Sequence, residues 1–162
     1  MNNPSEACSA FIEILHNEIE QSQRLLDLLR TEYTLLQQGS PQALQELTAE
    51  KREQLKRVEA AVATHNRFLE QQGYGADRQG TETYIQQCSS NLESTSETWH
   101  RFITLLEACH KQNEINGGAV QLNQRHVSQT LDILKGISQR DKTYGPSGES
   151  KPNSTSKSLG KA

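Results

Sequence analysis

A run of spacing near the start of the chain constrains the fold most. Cys8, Ile12, Leu15, Ile19, Ser22, Leu26, Leu29, Tyr33 and Leu36 follow one another in unbroken steps of four and three. Apolar or small residues at that average spacing of about 3.5 line one seam of a helix that packs against other helices. Leu25 and Leu28 flank the seam and widen it, as a bundle helix requires and a two-stranded coil does not. Asn3 with Glu6 can cap the start, Pro4 suits the first helical position, and Gly39 ends the segment. The spacing therefore predicts a helix over 4–38, roughly 50 Å long at about 1.5 Å per residue.

Gly39-Ser40-Pro41 reads as a stop followed by a start, with Ser40 as N-cap and Pro41 at the first position of a helix over 41–72. Its apolar positions are Leu44, Leu47, Leu55, Val58, Val62 and Leu69, with Ala61 and Phe68 beside them. Lys51 and Gln54 stand where apolar residues are expected. After the loop GYGADRQGT, a third helix is expected over 81–116, its seam running through Ile85, Cys88, Leu92, Thr95, Trp99, Phe102, Leu106 and Cys109. That seam turns polar at Asn113 and Asn116, and Asn116-Gly117-Gly118 predicts a break or hinge. A fourth, shorter helix over 119–139 carries Val120, Val127, Leu131, Leu134 and Ile137 on one side. Short connections make successive helices antiparallel. The expected fold is all-α: an elongated antiparallel bundle of three long helices and one shorter C-terminal helix, with coiled-coil-like packing. The bundle domain covers 1–142, and 143–162 is a flexible polar tail too poor in apolar residues to fold.

The composition agrees with narrow buried stripes. Hydrophobic residues make up 33% of the 162 positions and the mean hydropathy is −0.78, too polar for a thick core. No apolar run is long enough for a membrane span, and the first residues lack the basic and apolar regions of a signal peptide. The net charge of −3 is scattered, with no basic face for nucleic acid. Cys8, Cys88 and Cys109 are odd in number and form no CxxC pair, which reads as free thiols in a reducing cytoplasm.

One metal-binding pattern demands a hearing. Glu13–His16, Glu97–His100 and Glu107–His110 are all ExxH, the spacing that di-metal bundles use when both side chains point inward. The heptad register puts all six away from the apolar seam, so they read as solvated surface. His65, beside an apolar stripe, reads as structural. No phosphate loop, nucleophile elbow or carboxylate pair is present. No catalytic, metal or cofactor residue is assigned, and the chain is not read as an enzyme.

Three features remain: Asn113 and Asn116 before a glycine pair, an amphipathic fourth helix, and Tyr144 stranded beyond it. Together with Leu25-Leu26-Asp27-Leu28-Leu29, Glu32, Glu50-Lys51-Arg52, Asn113-x-x-Asn116-Gly117 and Tyr144-Gly145-x-x-Gly148, they give a chain that resembles the FlgN family of flagellar export chaperones over nearly its whole length. The resemblance implies a cytoplasmic protein that binds the hook-filament junction proteins, prevents their premature assembly and delivers them to the export gate. It places cargo on Val120, Val127, Leu131, Leu134 and Ile137, beyond the hinge that Asn113, Asn116, Gly117 and Gly118 form by their residue types. It assigns Tyr144 and Gly145 to docking on the gate's cytoplasmic domain, with the export ATPase complex as a further contact. A coiled-coil scaffold unrelated to secretion would use the same helices without the Tyr-Gly tail.

Overall fold

The computed structural model describes residues 4–88 and 92–134. It is all-α: α1 spans Pro4–Gln38, α2 Pro41–Gln71, α3 Arg78–Gln87 and α4 Leu92–Leu134, with no strand among the described residues. The first two helices lie where the spacing puts them. Gly39 ends α1 at φ +64°, and the Ser40 amide donates back to the Leu35 carbonyl. Ser40 occupies the N-cap of α2 but makes no side-chain capping bond, so Pro41 alone marks that start. The expected cap residue Asn3 and the polar tail 143–162 lie outside the described residues.

The second half is partitioned differently from the expectation. In place of helices over 81–116 and 119–139 stand a short α3 and a 43-residue α4. Two local causes account for this. Asp77 caps α3 by accepting the Gly80 amide at 2.6 Å, which starts it three residues earlier. After Cys88 the sequence reads Ser89-Ser90-Asn91, and serine and asparagine side chains compete with helical hydrogen bonds. Conversely, α4 runs straight through Asn116-Gly117-Gly118. The steps of four and three persist there, through Cys109, Asn113, Asn116, Val120, Asn123, Val127, Thr130 and Leu134. The two glycines, each about 1 kcal/mol worse than alanine in a helix, do not end it.

The α2–α3 turn is built by glycine chemistry. Gly73, at φ +83°, donates to the Glu70 carbonyl, and Tyr74 donates to Leu69; together they close the C-terminus of α2. Gly80 is required by space, since a Cβ there would run into the backbone of Gly75.

By contacts the chain divides into two compact units, Met1–Val120 and Gln121–Ala162. Within the first, α1 and α2 are antiparallel: Glu32 meets Lys51, Gln21 meets Gln54 and Glu18 meets His65. The early part of α4 runs parallel to α1, pairing Cys109 with Ser22 and Asn116 with Leu29. The core has two stretches. One gathers Cys8, Phe11, Leu15, Ile19, Leu69, Tyr84, Ile85, Cys88, Trp99 and Phe102. The other holds Leu25, Leu26, Leu29 and Cys109.

Phe11 is the hub of the first stretch, fully buried, with its ring against His65, Phe68 and Tyr84 at centroid distances of 5.0–5.3 Å. Ile12, the residue chosen from the spacing, is only half-buried. Steps of 3 and 4 through Cys8, Phe11 and Leu15 fit the repeat as well as 4 and 3 through Ile12, and the ring offers more area to bury.

The expectation of free thiols is overturned for Cys8 and Cys88 and holds for Cys109. Cys8 and Cys88 form a disulfide, with Cα atoms 5.7 Å apart and a sequence separation of 80. Cys88 caps the end of α3 and is buried beside Ile85 in the core that also holds Cys8. Cys109 alone is a free thiol. It is buried, donates to the Ser22 carbonyl at 3.4 Å, and burial pushes its thiol up.

Candidate functional site

Three polar side chains interrupt the apolar seam of α2, and each meets a polar partner on α1. Lys51 pairs with Glu32, both side chains largely buried. Gln54 donates to the Gln21 carbonyl at 2.8 Å and to Gln21 Oε1 at 3.1 Å. His65 Nδ1 lies 2.9 Å from Glu18 Oε2, and its Nε2 lies 3.1 Å from Thr81 Oγ1. The Thr81 hydroxyl donates to the Asp77 carbonyl at 2.9 Å, so it accepts from His65 Nε2–H. One proton is then left to sit between Nδ1 and Glu18. Burial pushes the Glu18 carboxyl above its ordinary range, and the hydrogen bond to His65 pulls the other way. His65 is thus structural, as its place beside the apolar stripe suggested, and buried more deeply than expected.

A shallow cleft of 190 Å³ opens beside this pair, lined by His65, Thr81, Trp99 and Phe102 among others. Its buried polar groups are already bonded to one another. The six ExxH side chains are exposed, as the register implies.

The sites singled out from the sequence fall on α4 and beyond it. Asn113 is exposed, whereas Asn116 is buried. Asn116 Nδ2 donates to the Leu29 carbonyl and to Glu32 Oε2, each at 2.7 Å, and Gln112 donates to Asn116 Oδ1 at 3.0 Å. Because Glu32 also pairs with Lys51, one polar clamp joins α1, α2 and α4. Three segments far apart in sequence, around Glu32, Lys51 and Asn116, meet there. The signal for this was legible as Lys51 standing in an apolar register, but nothing in the sequence named its partner.

Burial along α4 ends at the clamp. Ala119 is half-buried, and every residue from Val120 to Leu131 is exposed. Val120, Val127 and Leu131 follow in steps of seven and four, and Val127 is 60% exposed. Leu122, at 55%, and Ile115 are also exposed, and neither belongs to that stripe. They lie seven apart, on another side of the helix, so only a second register would have revealed them. Leu134 closes α4, with its side chain outside the described residues, as are Ile137, Tyr144 and Gly145. The described part of α4 beyond the clamp is therefore a polar helix with large apolar side chains in water.

The sequence matches the family profile described as FlgN protein over residues 1–152. No curated protein matches the chain. Among solved structures it resembles a Pseudomonas aeruginosa protein, described as a candidate flagella synthesis protein FlgN, with a TM-score of 0.63 and 22% identity. The match covers 83% of this chain and 98% of that one.

Proposed function

This chain belongs to the FlgN family of flagellar-assembly chaperones, and from that premise we propose that it is an export chaperone of the hook-filament junction proteins. In this reading it binds its cargo in the cytoplasm through the C-terminal half of α4, prevents premature assembly, and delivers the cargo to the export gate. The observation that carries the reading is the exposure of Val120, Val127 and Leu131 at heptad spacing. An amphipathic terminal helix of a junction protein laid along them would remove apolar surface from water at about 25 cal/mol per Å². Ordering the cargo offsets a few kcal/mol of that gain, which keeps the complex releasable. Leu134 and Ile137 extend the same spacing and belong to the proposed docking surface.

Tyr144 and Gly145 are assigned to docking on the cytoplasmic domain of the export gate, with the export ATPase complex as a further contact; family likeness supports this part. No described helix is long and apolar enough to cross a membrane, so membrane contact is assigned to the gate rather than to insertion. The test is co-purification with the junction proteins. Val127→Asp/Leu131→Asp should abolish it while leaving the circular dichroism of the bundle unchanged. Tyr144→Ala should leave the complex intact and impair export. Retention of cargo by the first variant would sink the assignment of the docking surface.

A further inference from the structure

A glycine inside a helix usually answers a local need, either a positive φ or a neighbour too close for a Cβ. Neither need exists at Gly117 or Gly118. Positive φ angles among the described glycines occur at Gly39 and Gly73 alone. A Cβ on Gly117 or Gly118 would meet nothing within 4 Å. Alanine would fit both positions and would strengthen the helix. The two glycines therefore make a weak point in α4 that packing does not require.

Its position carries the inference. The residue immediately before the pair is Asn116, bonded to Leu29 and Glu32 of α1 and, through Glu32, linked to Lys51 of α2. The firmest polar attachment of α4 and its weakest stretch are adjacent. Beyond them lie the exposed apolar residues. We propose that the two act as one joint: the Asn116 clamp holds the proximal part of α4 in the bundle, and Gly117-Gly118 lets the distal part unwind and reform alone. Asn116 is then the fixed side of the joint rather than part of the hinge. Resting on the docking role assigned above, the proposal adds how that surface is regulated. Cargo binds the helical form of the distal segment and must order it, so the glycine pair weakens binding and hastens release.

Hydrogen exchange of the full chain, read by mass spectrometry, tests the joint. Amides over 119–131 should exchange at least tenfold faster than those over 99–112. Gly117→Ala/Gly118→Ala should slow exchange over 119–131 by about 10–30-fold, the size expected for two such replacements, and leave 99–112 unchanged. Asn116→Ala should instead speed exchange on the proximal side, over 106–116. Lys51→Arg should preserve wild-type protection there, and Lys51→Met should not. Unchanged exchange over 119–131 in the double-alanine variant overturns the joint. So does loss of protection spread evenly along α4 in Asn116→Ala. Failure of the docking role is distinguishable: cargo would survive Leu131→Asp while the exchange pattern stood.

Discussion

At the scale of single residues, the structure rests on choices the repeat alone leaves open. Phe11 and Ile12 both continue the seam, and only the three-dimensional fit selects the ring. Phe11→Ala should destabilise the protein by about 3–5 kcal/mol, the range for a buried aromatic, and Ile12→Ala by clearly less; denaturant melts of the two variants check the register. Glu18 gives a prediction with a sign. Its carboxyl is raised above the ordinary value of 4.5 by burial, against the pull of its hydrogen bond to His65. A carboxyl raised in the folded state holds a proton that the unfolded chain has lost. Its stabilising contribution is complete below the unfolded value and disappears as pH rises through the folded one. Glu18→Gln keeps a hydrogen-bonding partner for His65 without titrating. The melting temperature of wild type minus that of Glu18→Gln should therefore fall as pH climbs from 4.5. A flat difference across that window would show that Glu18 ionises alike in both states.

Among the elements, α1 and α2 were legible nearly to the residue, because glycine and proline mark their ends and the apolar spacing fills the middle. The polar interruptions of α2 were visible too, but their meaning was not: a lysine in an apolar register reads as an irregularity until Glu32 stands opposite it. Lys51→Met should cost about 1–3 kcal/mol by leaving the Glu32 charge poorly solvated and without its cation. Adding Glu32→Gln, which removes the charge and still accepts from Asn116, should recover part of the loss in a double-mutant cycle. The division between α3 and α4 was misjudged in two opposite ways. Helix α3 ends at Gln87 with Cys88 as its cap, although the seam spacing runs on past it. Gly117-Gly118 does not end one, although glycine is the usual stop signal. Seam spacing and local propensity conflict at both places. Which one wins depends on tertiary contacts that a single sequence does not display, namely the disulfide at Cys88 and the clamp at Asn116.

For the molecule as a whole, the Cys8–Cys88 bond closes a covalent loop with a sequence separation of 80. In the loop-entropy description, closing about 80 residues contributes about 4.5 kcal/mol by restricting the unfolded chain. Reduction should lower the melting temperature, Cys8→Ser/Cys88→Ser should reproduce that loss, and the double variant should then ignore reductant. Equal melting temperatures with and without reductant in wild type would show that the two sulfurs stay apart in solution. The proposed docking residues and the Tyr-Gly tail were legible only through family likeness, since an exposed side chain names no partner by itself.

The same bond has a consequence in time. Cys8 leaves the ribosome 80 residues ahead of Cys88, an interval of about 4–16 s at 5–20 residues per second. Throughout it, the first thiol has no intramolecular partner of its own, while α1, α2 and α3 are still being made. A closed bond therefore dates a molecule: it marks a chain whose synthesis has passed α3 and whose first and third helices have met. Pulse-labelled nascent chains sorted by oxidation state would order the birth of the bundle, with the cysteine pair as its clock.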